Sequence, residues 1–256
     1  MNRFDGRRAL ITGAGSGIGQ ATVHRVLAEG GRVVAADVDP AGLRATAERA
    51  AADGAGGRLE TAVLDISDEA AVRAGVAAAV SGLGGLDVLV NAAGILRSSH
   101  THKTGLDFFN KIISVNLTGT FLMIREALPA LLEGRSPVVV NFSSTSATFA
   151  HPYMAAYAAS KGGIQSLTHA IASEYSKQGL RAVCVAPGSI ASGMTNGPGP
   201  GLPEDADMSL FTKLAPAIGE GFAGPETVAG VIAMLASQDG AFITGTEIRI
   251  DGGTHM

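Results

Sequence analysis

The stretch Thr12-Gly13-Ala14-Gly15-Ser16-Gly17-Ile18-Gly19 decides how the rest of the 256-residue chain is read. It follows a short apolar run at 9–12 and leads directly into a segment of helical spacing at 18–29. Glycines let a backbone turn sharply and approach a pyrophosphate, whose charge then meets the free N–H groups and positive end of a helix. A strict G-x-G-x-x-G does not fit, because Ile18 stands where the third glycine belongs; the pattern is T-G-x-x-x-G-x-G on Gly13, Gly17 and Gly19. Alone it is a weak signal, since a glycine turn can join strand to helix with no ligand. Asp37 strengthens it. This residue ends the second apolar run, where an acid can accept hydrogen bonds from an adenosine ribose, although an ordinary strand-end turn residue would look the same. Facing the ribose, it would repel a 2′-phosphate ~4 Å away by about 4 kcal/mol at an effective dielectric near 20. No arginine follows at 38 or 39 to offset this, so NAD is expected over NADP.

Outward from that turn, apolar runs recur at 32–36, 59–64, 86–91, 138–142, 181–186 and 247–250. Each is nearly continuous rather than alternating, as expected of strands covered on both faces. Helical spacing fills most gaps: 40–52, 68–81, 104–133 and 155–178. Asp39-Pro40, and Ser67 before Asp68-Glu69, read as helix starts. The pattern predicts an α/β, Rossmann-like, doubly wound parallel sheet of about seven strands with helices on both faces, as one domain over 1–256. One segment departs from the rhythm. Residues 193–224 are rich in Gly and Pro, yet carry Leu202, Met208, Leu210, Phe211, Leu214, Ile218 and Phe222. A long loop in a compact domain is usually functional or disordered, and these apolar residues favour a short helical lid, over about 189–224.

Composition narrows the function classes. The chain is 46% hydrophobic and 16% charged, against ~25% charged in an average soluble domain, which excludes a disordered chain. A net charge of −4 without a Lys/Arg block makes nucleic acid an unexpected partner. The weakly charged stretches 136–160 and 182–203 are interrupted before reaching the ~20 apolar residues of a membrane helix. The amino terminus has no apolar signal region. The single cysteine, Cys184, fits a reducing compartment and reads as a small buried hydrophobe. A cytoplasmic protein is expected. His100 and His102 lie in an exposed-looking loop without a supporting cysteine or carboxylate cluster, so no metal site is expected. His24 reads as structural.

Chemistry enters with Ala155-Ala-Tyr157-Ala-Ala-Ser160-Lys161. Tyr157 and Lys161 are spaced i, i+4 and share a helix face. A nearby ammonium favours phenolate and lowers a phenol's pKa from ~10, which would let Tyr157 exchange a proton with an alcohol or carbonyl near neutral pH. An isolated Y-x-x-x-K is more often a core tyrosine beside a surface lysine. This pair is not isolated. Leu64-Asp65-Ile66, Asn91-Ala-Ala-Gly94, Ser114-Val-Asn116-Leu-Thr-Gly119, Val140-Asn-Phe-Ser-Ser144, Pro187-Gly188 and Asp251-Gly-Gly253 accompany it in order. On these motifs the chain resembles the short-chain dehydrogenase/reductase family from end to end.

The resemblance implies the following roles. Ser144, 13 residues before Tyr157, would hydrogen-bond the substrate oxygen, in preference to Ser143. Tyr157 would be the acid/base, and Lys161 would hold the nicotinamide ribose and lower the tyrosine pKa. Asn116 would hold a water through its main-chain carbonyl, linking the lysine to solvent. Ser16, Gly17, Ile18 and Gly19 join Gly13 at the pyrophosphate, while Asp65 and Ile66 would touch the adenine. Asn91, Ala92 and Gly94 would shape the floor under the cofactor, and Pro187, Gly188 and Ile190 would pack against the nicotinamide. Ser192 stands where the family often has threonine, and its hydroxyl could still meet the carboxamide. Leu96, His151, Tyr153 and Met194 are candidate substrate contacts. The resemblance also implies a homotetramer and a hydride transfer between NAD and a secondary alcohol or ketone. The largely apolar lid favours a neutral, fairly hydrophobic substrate. A 3-oxoacyl-[acyl-carrier-protein] reductase is the alternative; Glu204, Asp205, Asp207 and Glu220 against Lys213 argue against docking an acidic carrier. A catalytically silent NAD-binding sensor or scaffold is the third reading, which the presence of both Tyr157 and Lys161 disfavours.

Overall fold

Val138-Val-Val-Asn-Phe142 is buried at every position, and a strand with no polar face needs a layer on each side of it. In the computed structural model, which describes residues 2–192, 194, 199–219 and 221–256, this run is the fifth strand of a single seven-stranded sheet. The strands are β1 (Arg8–Thr12), β2 (Arg32–Asp37), β3 (Leu59–Val63), β4 (Val88–Asn91), β5 (Val138–Phe142), β6 (Arg181–Pro187) and β7 (Glu247–Ile250). Their order is β3-β2-β1-β4-β5-β6-β7, and every pairing is parallel. Helices α1 (Gly17–Ala28), α2 (Pro40–Ala52) and α7 (Pro225–Ala236) supply one core, around Val23, Leu43 and Ile232. Helices α3 (Glu69–Leu83), α5 (Gly119–Leu132) and α6 (Ala155–Tyr175) supply the other, around Val76, Met123 and Ile171. Among the described residues, no helix is long and apolar enough to cross a membrane.

Three local expectations need correction. The runs forming β3 and β7 are not covered on both faces: both lie at sheet edges, and Val63 is 67% exposed. Asp68, not Ser67, caps α3, because its side chain accepts from Ala70 and Ala71 N–H while Ser67 donates to Asp65. The single helix expected over 104–133 is two. Helix α4 (Leu106–Ile113) passes into a π-helical turn, Ser114–Thr118, before α5 begins. That extra residue per turn swings Asn116 inward; such insertions in a helix frequently mark functional sites. Asp39 caps α2 as expected, with Pro40 at its first position.

From β1 the chain runs outward to β2 and β3, then returns to β4 on the other side of β1. The loops leaving β1 and β4 therefore diverge to opposite faces, and the crevice above their carboxyl ends is where such sheets bind ligands. The segment expected as a lid stands over that crevice, with a 3₁₀ helix, Met208–Leu214, capped by Asp207. Of this segment, Gly193, residues 195–198 and Glu220 lie outside the described residues. A parallel bridge between Ile190 and Ala223 closes its base.

Replacing Asp68 with alanine removes two hydrogen bonds from the start of α3. This should cost about 1 kcal/mol, visible in thermal denaturation as a Tm lower by roughly 2–4 °C.

Candidate active site

Backbone contact makes one end of the site. Gly13 has φ +67°, and a Cβ there would sit 2.7 Å from the carbonyl carbon of Ala92 on the β4 loop. A Cβ on Gly19 would lie 2.0 Å from the Gly13 carbonyl oxygen. Only glycine permits this closure. Ser16 precedes α1 in an extended conformation and makes no side-chain cap, and the helix start lines the crevice. The resulting cavity has a volume of about 980 Å³. Gly13, Ser16, Gly17, Ile18, Gly19, Asp37, Asp65, Ile66, Ala92 and Gly94 line its first part. Ser144, Tyr157, Lys161, Pro187, Gly188, Ile190 and Ser192 line it further on, with Leu96, His151 and Met194. Val38, Lys111, Met154 and Thr254 also line it; the sequence offered no local signal for the last three, which come from helix, loop and chain segments remote from one another. A cradle that only glycine leaves open, a helix start lining the crevice and an acid at the β2 end together fit a dinucleotide.

Asp37 is braced as well as exposed to the cavity. Its Oδ2 accepts from Gly15 N–H at 2.8 Å and its Oδ1 from Asp39 N–H at 2.9 Å. Each carboxylate oxygen keeps a further acceptor position, so the residue can hold the glycine turn and still accept from a ribose. Asp65 Oδ1 takes both the N–H and the hydroxyl of Ser67, and these bonds hold its carboxyl below the usual range.

Three expected residues do not line the cavity. Asn91 points into the sheet, where its Nδ2 donates to Asn141 Oδ1 at 2.8 Å, and Asn141 Nδ2 donates to Thr168. Asn116 is fully buried. Its side chain accepts from Ile95 N–H at 2.8 Å and donates to the Ile95 carbonyl and to Ser160 Oγ. The carbonyl expected to serve the lysine already accepts from the Thr120 hydroxyl at 2.7 Å. Gly94 explains the grouping: a Cβ there would lie 3.1 Å from Asn116 Oδ1 and 3.6 Å from Lys161 Nζ. Tyr153, with φ +64°, turns toward the lid instead of the cavity. Its hydroxyl accepts from Asp207 N–H at 2.8 Å and its ring stacks on Phe211. His100, expected as a surface residue, meets Asp205 of the lid at 2.7 Å and packs edge-on against Tyr153.

Tyr157 and Lys161 do share the cavity, but the electrostatics differ from the expectation. Lys161 Nζ donates to the Phe142 carbonyl at 2.8 Å and lies 5.6 Å from the Tyr157 ring centroid. Burial pushes the Tyr157 phenol up to about 12, opposed by its hydrogen bond with Ser144. Burial likewise pulls the Lys161 ammonium down to about 8. The ammonium's hydrogen bond is directed at the β5 carbonyl, and the bond that opposes the rise in the phenol's pKa comes from Ser144.

A parallel sheet with its cleft at the β1/β4 divergence, a glycine cradle and a Ser-Tyr-Lys group in the same cavity define a dinucleotide-binding oxidoreductase. Residues 13–255 match the short-chain dehydrogenase family model described as enoyl-(acyl carrier protein) reductase. The chain is 36% identical to the 3-oxoacyl-[acyl-carrier-protein] reductase of Thermotoga maritima, over 98% of each. It is 35% identical to the meso-2,3-butanediol dehydrogenase of Serratia marcescens, over 98% of this chain and 95% of that protein. Among solved structures it resembles a short-chain dehydrogenase from Mycobacterium paratuberculosis bound to NAD (TM-score 0.89, 29% identity, 98% of each chain). It also resembles one from Burkholderia cenocepacia in complex with NADP (TM-score 0.88, 30% identity, 100% of each chain). The chain belongs to the short-chain dehydrogenase/reductase family. It is a nicotinamide-dependent oxidoreductase of alcohols and ketones.

The buried lysine gives a pH signature. Its folded pKa of about 8 lies below the ordinary 10.5, so between those values the unfolded chain binds a proton that the folded one does not. Stability contributed by Lys161 is lowest below pH 8 and recovers as pH rises. Lys161→Met should therefore be more stable than wild type at pH 7, by about 3 kcal/mol at most. Denaturant titrations should show that advantage shrinking between about pH 8 and pH 10.

Proposed function

We propose that the chain transfers a hydride between NAD and a neutral secondary alcohol or ketone, with Tyr157 as the acid/base. The observation that carries this reading is the meeting of Ser144, Tyr157 and Lys161 in the same cavity as the glycine cradle and Asp37. Gly13 and Gly17 to Gly19 would hold the pyrophosphate, Asp37 the adenosine ribose, Asp65 and Ile66 the adenine, and Ile190 and Ser192 the nicotinamide. Bound nicotinamide supplies the acceptor or donor of the hydride. Ser144 Oγ fixes the substrate oxygen, and Tyr157 Oη takes the alcohol proton in oxidation or returns it in reduction. A phenol at about 12 is protonated at pH 7, so Tyr157 is set as the acid for reduction. It becomes a base only as added positive charge or hydrogen bonds lower it. Lys161 is largely charged at that pH and is aimed by the Phe142 carbonyl. Asn116 acts at one remove, clamping Ile95 and Ser160 beside that group.

NAD is favoured over NADP by Asp37 and by the absence of arginine at 38 and 39. The apolar walls formed by Leu96, Met154, Leu202, Phe211, Leu214 and Phe222 favour an uncharged substrate. Reduction of a 3-oxoacyl thioester on a carrier protein is the second reading, favoured by the Thermotoga relative; the lid's Glu204, Asp205 and Asp207 oppose an acidic carrier. A silent NAD-binding role is disfavoured by the intact Ser-Tyr-Lys group. Exposed Leu106 on α4 and Phe121 on α5 support a homotetramer built through those helices, and the lone, buried Cys184 fits a cytoplasmic location.

Tyr157→Phe should lose roughly 10²–10⁴-fold in turnover while NAD still binds, as read by calorimetric titration; retained turnover removes the phenol from this role. Asp37→Ala should raise the KM for NAD, because Gly15 N–H loses its partner along with the ribose. It should also narrow the NAD/NADP ratio of kcat/KM at least tenfold in a steady-state assay, about 1.4 kcal/mol of discrimination.

A further inference from the structure

The substrate end of the cavity is walled by hydrocarbon, and the few polar groups there are almost all occupied. Thr254 Oγ1 donates to the Asp251 carbonyl at 2.6 Å, and Ser189 Oγ lies 3.5 Å from the Leu214 carbonyl. Ser144 and Tyr157 are committed to the reacting oxygen. His151 remains. Its Nε2 lies 3.3 Å from Thr145 Oγ1, the side chain next to Ser144. Among the described residues that threonine hydroxyl has no other acceptor, so its proton is assigned to Nε2. The imidazole is then the Nδ1–H tautomer, and Nδ1 makes no hydrogen bond to any described residue.

The loop carrying His151 is held on its far side. The His255 ring stacks on Phe149 at 4.0 Å and 4°, and the Arg249 guanidinium lies 5.1 Å from the same Phe149 ring. His255 also stands 5.8 Å from His151. Burial, and then the neighbouring His255, push the His151 pKa below its ordinary value, so the ring is neutral at pH 7. His151 lines the cavity, and a neutral imidazole in largely apolar surroundings suits an uncharged oxygen. A carboxylate or sulfonate arriving there would leave water without meeting a full positive charge.

We propose that His151 is a specificity-determining residue that hydrogen-bonds a second, uncharged oxygen of the substrate. The favoured class is then the diols, hydroxy ketones and diketones, in preference to alcohols with one oxygen. This rests on the oxidoreductase reading above and narrows its substrate. A substrate lacking the second oxygen leaves the N–H unpaired on binding, a penalty that sets the discrimination.

The test compares wild type, His151→Leu and His151→Gln with NAD on pairs matched in carbon number: 2-butanol against 2,3-butanediol, and cyclohexanol against 1,2-cyclohexanediol. Wild type should favour each diol by roughly 10-fold or more in kcat/KM. His151→Leu should erase that preference mainly through KM, and His151→Gln, which keeps an N–H donor, should restore part of it. A merely structural histidine would lower both members of each pair alike and would not be rescued by glutamine. Equal use of mono-alcohols and diols by wild type, or a preference that survives in His151→Leu, overturns the proposal and leaves the alcohol–ketone chemistry standing. A wild type that binds NAD and oxidises neither set overturns the proposal, whatever larger alcohols it accepts. Activity toward alcohols that persists in Tyr157→Phe overturns the underlying reading separately.

Discussion

The contact between two backbones at the sheet's divergence point governs everything built above it. The α-carbon of Gly13 lies against the peptide of Ala92, and Gly19 lies against the Gly13 carbonyl. A single Cβ at either place would push β1 and β4 loops apart and move α1 away from the crevice. Side chains outside the loop hold this closure. Thr46, wholly buried on α2, has its hydroxyl 2.9 Å from the Ala14 carbonyl, and Gln20 reaches both Gly15 and Thr46. Asp37 completes the bracing through Gly15 N–H. One carboxylate thus links the conformation of the turn to the group that selects the cofactor.

At the other end the site is built under electrostatic tension. A lysine that is 5% exposed and a tyrosine carried to about 12 by burial each sit in an environment that opposes their charged form. Marginal native stability makes such groups costly; perturbed ionisation of this kind clusters where chemistry is done. The phenol and ammonium are near one another because α6 repeats every 3.6 residues. The direction of the ammonium comes from β5, through the Phe142 carbonyl. Helix periodicity therefore brings the pair together, and the sheet determines what the lysine touches.

Polar side chains that look alike in the sequence separate into distinct tasks in three dimensions. Asn91 and Asn141 occupy the same register across β4 and β5 and bond to each other, which removes Asn91 from the cavity wall. Asn116 reaches Ile95 because the π-turn adds a residue where an α-helix was expected. Tyr153 and His100, two polar aromatic residues read as substrate contact and solvent-exposed ring, instead meet Asp207 and Asp205 and tie the lid to the body of the protein.

The local residue pattern already holds the layered α/β architecture and the strand positions, because buried parallel strands demand continuous apolar runs and crossover helices demand a 3.6-residue period. It also carries the glycine cradle and the acid at the end of β2, which depend on residue type at short spacing, whereas the Ser-Tyr-Lys set was legible only through the resemblance to the family. Packing in three dimensions makes β3 and β7 edges, sets the Asn116 side chain against Ile95, and raises the phenol rather than lowering it. It also places His151 on the chamber wall. Each of these depends on burial and on partners far away along the chain: a pKa is a property of the surroundings that no local run of residues contains.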